Sequence, residues 1–186
     1  MKKRLGFTLA EVLITLGIIG VVAAMTIPTL MNQTGQAEFK TGLKKMISGI
    51  NQAVTMNVAL DSVSFSEGDE TNNLYKLFSD RMNVISSTSA AVGTGDINVD
   101  EGNYIIFLND GAAISWTDTV NETACTTTVG TNEATGVCNV LIDVNGKKRP
   151  NALTTSSTDI KDQFGVRIGG QQALPGGVAK AVMYNR

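Results

Sequence analysis

Apolar positions along the chain follow two different regimes. From Phe7 to Ile27 every residue is apolar, small or hydroxylic except Glu11. A helix of that length spans roughly 30 Å, the thickness of a bilayer's hydrocarbon core. Past Pro28 the pattern changes. Between Gln36 and Leu60, the residues Leu43, Met46, Ile47, Ile50, Ala53, Val54 and Val58 recur at intervals of three and four, which predicts an amphipathic helix. Joined together, the two stretches make one helix of about fifty residues, on the order of 80 Å if continuous. Such a helix suits a chain whose first half (7–30) lies in a membrane or between subunits and whose second half (31–60) lies on a globular head.

The remainder, 61–186, reads as a small α+β head. A short helix is predicted near Asn72 to Met82, with Leu74, Leu77, Phe78 and Met82 on one side. Residues Ser86 to Asn103 are rich in Ser, Thr, Ala and Gly and read as a surface loop. Tyr104–Leu108 and Ala112–Trp116 flank Asn109-Asp110-Gly111, a hairpin signal. Val140–Val144 is a third predicted strand, ending in the turn Asn145-Gly146, and Phe164–Ile168 is a fourth. The architecture that follows is an antiparallel sheet of three or four strands packed against the amphipathic half of the long helix.

Composition sharpens this by exclusion. The 186 residues contain no histidine, which removes the commonest general base and the commonest metal ligand together. Serines and threonines therefore have no histidine partner, and no Gly-Lys phosphate-cradling motif is present, so the reading is of a protein that is not an enzyme. Lys2, Lys3 and Arg4 precede the apolar run, placing the amino terminus in the cytoplasm and the rest outside. No small-residue cleavage site follows the apolar core, as an ordinary secretory signal would have. Glu11 is the anomaly, because a carboxylate in a membrane helix costs a few kcal/mol and needs a partner. No cation lies elsewhere in the run, so an intermolecular partner is expected.

The segment Gly6-Phe7-Thr8-Leu9-Ala10-Glu11, behind a basic leader and ahead of an apolar run that ends at Pro28, resembles the cleavage and methylation signal of type IV prepilins and type II secretion pseudopilins. The resemblance covers about the first thirty residues. It implies that residues 1–6 are a leader cut after Gly6 by a membrane-bound prepilin peptidase, leaving Phe7 as an N-methylated first residue. It implies that Glu11 neutralises the amine of a neighbouring subunit during assembly. It also implies that Pro28, with Gly17 and Gly20 upstream, marks a weak part of the helix. The expected partners are other pilin or pseudopilin subunits and an inner-membrane assembly platform, and the expected location is the bacterial inner membrane and then a periplasmic or extracellular filament. A chain tethered by an uncleaved signal anchor, with a ligand-binding head, is the alternative.

Three further features carry candidate chemistry. Cys125 and Cys138 enclose twelve residues; in an exported domain an oxidising compartment favours a disulfide, contributing about 3 kcal/mol in the chain-entropy model. Asp143-Val144-Asn145-Gly146, followed by Pro150-Asn151 and then Asp159 and Asp162, has the alternating oxygen ligands of a cation loop; Asp143, Asn145 and Asp159 are the chosen ligands, and the resemblance adds calcium as the ion. The same residues are ordinary turn formers, so turn capping is the competing reading. Lys147-Lys148-Arg149 is a basic cluster without interleaved aromatics, a poor nucleic-acid site in a chain whose net charge is already −2 with its leader attached.

Overall fold

The computed structural model describes residues 6–61, 74–90, 103–117, 138–169 and 172–184. The chain divides into two compact units, Met1–Ala37 and Glu38–Arg186. The first helix, α1, is Leu9–Asp61, and Pro28 lies inside it. In the first unit its apolar side chains are exposed all round, from Leu9 and Leu13 to Ile27 and Met31. The helix is long and apolar enough to cross a membrane by length and composition, with mean hydropathy 2.2 over its most apolar window.

The hydroxyls of that stretch are satisfied by the helix itself. Thr15 donates to Val12 O at 2.9 Å, Thr26 to Val22 O at 3.0 Å, Thr29 to Thr26 O at 2.8 Å and Thr34 to Leu30 O at 2.9 Å. Bonds of this kind suit an environment without water, where an unmet hydroxyl is costly. Pro28 has no N–H, so the Ala24 carbonyl loses the ladder donor it would otherwise have.

The second unit is built on a six-stranded antiparallel meander: β1 Val84–Ala90, β2 Asn103–Leu108, β3 Ala113–Thr117, β4 Cys138–Asp143, β5 Gln163–Ile168 and β6 Ala173–Pro175, in that spatial order. Among the described residues two short helices complete it, α2 at Leu74–Arg81 and α3 at Gly177–Tyr184. The sheet register places Ile106, Ile114, Ile142 and Phe164 in one row across four strands, and each is 1% exposed or less. Against this face lie Leu43, Met46, Ile47, Ile50 and Val54 of α1 and Leu74, Leu77 and Phe78 of α2. The three-and-four spacing of the helix stripe and the period-two alternation of the strands thus meet in one core. Tyr104 stacks on Trp116 at 5.8 Å between ring centroids, with Phe78 at 5.6 Å on a tilted plane.

The expected α+β layout of a long helix and an antiparallel sheet is present, with differences of extent. Residues 86–90, expected in a loop, form most of β1, which pairs with β2 from Val84↔Leu108 to Ala90↔Asn103 with an irregularity between Val84 and Ser86. Strand β6 and helix α3 were not expected at all. The rest of the expected loop, 91–102, lies outside the described residues.

One side chain ties α1 to the last strand. Asn51 Nδ2 donates to Ala173 O at 3.0 Å, and Ala173 N donates back to Asn51 Oδ1 at 2.8 Å. The amide imitates a neighbouring strand for a residue that is fully buried. Replacing Asn51 with leucine strands both backbone groups, so unfolding of the N51L protein should show a loss of about 2 kcal/mol.

Candidate functional site

The amino-terminal segment is organised by a local hydrogen-bond pair. Phe7 is 90% exposed and precedes the helix. Thr8 sits at the N-cap position and Glu11 three residues on. The Thr8 N–H donates to Glu11 Oε2 at 2.8 Å, the Thr8 hydroxyl donates to the same oxygen at 2.7 Å, and the Glu11 N–H donates to Thr8 Oγ1 at 3.3 Å. This is a capping box, and it explains why α1 begins at Leu9: two otherwise unmatched helix-end donors are satisfied reciprocally. Within its own chain Glu11 thus has neutral donors from Thr8, while the cationic partner expected from another chain is a separate matter that these bonds leave open. Thr8 was overlooked, although Thr-x-x-Glu ahead of an apolar run is a sequence signature of this cap.

Pro28 stands within a helix that continues on both sides of it. Gly6, Gly17 and Gly20 each border open space. Cys138 is buried at the start of β4, and Cys125 lies outside the described residues.

The second group surrounds the end of β4 and the start of β5. Asp143 is buried; its Oδ1 accepts from Asn145 N at 3.1 Å and its Oδ2 from Gln163 Nε2 at 3.1 Å. Burial pushes the Asp143 carboxyl up to about 6, the bond from Gln163 opposing this and the nearby Asp162 charge adding to it. Asp162 is itself fully buried and closes the adjoining turn, taking Asn151 N at 2.7 Å on Oδ2 and Ala152 N at 2.9 Å on Oδ1. Asn151 has a left-handed φ of 50°, which asparagine tolerates better than most residues. Two buried amide oxygens, Asn145 Oδ1 and Asn151 Oδ1, have no donor.

Asp159 does not join this group. It is exposed and paired with Lys161 at 2.9 Å. Of the chosen trio, Asp143 and Asn145 are brought together and Asp159 is not; Asp162 and Asn151 of the same stretch, with Gln163, complete the cluster. Among the described residues no three of the Asp, Glu, Cys and His side chains converge as a metal site. Turn capping accounts for the bonds that Asp143 takes from Asn145 and Asp162 from Asn151 and Ala152, while the bond from Gln163 to Asp143 crosses between β4 and β5.

Basic residues nearby are partly engaged. Lys45 pairs with Asp110 at the tip of the β2–β3 hairpin at 2.9 Å, and the Lys147 ammonium lies 5.1 Å from the Phe107 ring centroid. Lys148 and Arg149 are exposed.

Residues 1–27 match a family model described as the prokaryotic N-terminal methylation motif, the signature of the prepilin signal. No curated protein and no solved structure matches the chain.

Proposed function

We propose that this chain is a pilin-like or pseudopilin-like filament subunit, trimmed after Gly6, methylated on Phe7 and assembled through its amino-terminal helix. One observation carries the reading: the methylation motif over residues 1–27 coincides with an exposed, apolar helix whose first turn holds Glu11. Before assembly that helix anchors the subunit in the inner membrane, with the head outside. On assembly, like helices pack against one another, and small residues such as Gly17 and Gly20 allow close approach. A Cys125–Cys138 disulfide belongs to the same reading, because Cys138 is buried in a domain that is exported.

The mass of the mature protein, isolated from its native membrane without reductant, tests this. It should equal a chain beginning at singly methylated Phe7 and lacking both thiol hydrogens. A chain that retains Met1 sinks the subunit reading and leaves the tethered binding module. A processed chain with two free thiols removes the disulfide alone.

A second reading concerns the head, and the two donorless amide oxygens favour it. Asp143, Asn145, Asn151 and Asp162 supply the oxygen ligands that calcium takes, whereas Asp159 does not. Bound there, the ion would neutralise two neighbouring buried carboxylates. Melting in calcium against melting in chelator decides it.

A further inference from the structure

The capping box divides the labour of the Glu11 carboxylate. Oxygen Oε2 takes both bonds from Thr8, while among the described residues Oε1 takes none. We infer that Thr8 is a positioning residue for assembly: it fixes the Glu11 side chain in one conformation and occupies one oxygen, leaving the other for the amine of a second copy of this chain. The inference rests on the filament reading above. Its physical basis is preorganisation. A free glutamate loses its rotamer freedom when it pairs, whereas one already held at the N-cap loses little more. The box also survives the pairing, so the helix start does not unravel when the contact forms. Removal of the leader places a positive amine at the positive end of the helix dipole, and an acidic residue held in the first turn offsets that charge.

The experiment compares wild type with T8V, which keeps the branched shape and the backbone N–H but lacks the hydroxyl, and with T8S, which keeps the hydroxyl. Two quantities are read in each: the mass of the mature amino terminus, and the fraction of subunit recovered in sheared filaments rather than in the membrane. T8V should be processed and methylated as wild type yet reach filaments about fivefold less or worse, the scale of one lost charge-assisted hydrogen bond. T8S should restore assembly to within about twofold of wild type, since it remakes the same bond. Wild-type assembly by T8V overturns the inference, as does failure of T8S to restore it, and so does loss of cleavage in T8V, which would place the residue in processing. Failure of wild type itself to be trimmed or to form filaments strikes the filament reading instead, so the two failures are separable.

Discussion

Replacing Gly146 with alanine should cost the head about 3 kcal/mol or more, and the full-length protein in detergent should show it as a large drop in the unfolding midpoint. Two separate penalties meet at this residue. Its φ is +63°, where an L side chain loses about 1–2 kcal/mol against the ordinary helical or extended regions. A Cβ built there also collides with the backbone carbonyl oxygen of Gly111. That oxygen belongs to the β2–β3 turn and cannot swing away as a flexible side chain would. Gly111 provides the control. Its φ is +90°, yet nothing lies within 4 Å of a Cβ placed on it. The G111A protein should therefore bear the conformational cost alone, about 1–2 kcal/mol. Equal losses in the two variants would show that the close approach of the two turns contributes nothing.

Asp143 should give the head an unusual pH dependence. Burial raises its carboxyl from the ordinary 3.8 to about 6, so the folded state holds a proton that the unfolded chain has released. The sign follows: this residue costs nothing at pH low enough to protonate both states, and its cost grows as pH rises from the ordinary value to the raised one. In chelator, stability should fall by about 1 kcal/mol between pH 5 and pH 7, opposite in direction to the gain that carboxylates with lowered values give at more acid pH. Asn in place of Asp143 keeps an acceptor oxygen for the Asn145 N–H and presents an amide N–H that the Gln163 side chain, turned over, accepts, but has no proton to lose, so D143N should remove that slope. A slope that persists in D143N assigns the titration elsewhere. Calcium, if held by this cluster, favours the ionised carboxylate and should flatten the slope in wild type while raising the midpoint. An unchanged curve in calcium removes the cation and leaves the titration standing.

The parts of the fold legible in the sequence were those whose own pattern matches their environment. The stripe Leu43 to Val54 repeats at helical spacing because one face of α1 meets a sheet, and the hairpin around Asn109-Asp110-Gly111 carries its turn chemistry in three adjacent residues. Strand β1 was illegible because Ser86, Ser87, Thr88 and Ser89 resemble a loop; pairing with β2, not its own alternation, makes it a strand. Strand β6 has three residues, too few for any periodicity to register. At the candidate sites, the Glu11 charge is legible in the sequence, but its bonds to Thr8 within its own chain are not read from the charge alone. The charge in an apolar run drew attention away from the threonine three positions before it. Asp159 rather than Asp162 is the natural choice from sequence, because the burial of Asp162 and its closeness to Asp143 depend on β4 meeting β5, which no local spacing reveals.

The threonines of the first unit have a consequence for transfer between surroundings. Their hydroxyls travel with the helix, each already bonded to a carbonyl one turn earlier. Lipid tails and leucine side chains are equally apolar, so exchanging one neighbour for the other leaves those bonds untouched and changes mainly the closeness of packing. A segment with open polar groups would need new partners at each stage of such a passage. The Ala24 carbonyl opposite Pro28 is the interruption in that ladder, so under the filament reading proposed above the apolar stretch would pass from one hydrocarbon setting to another with little polar cost.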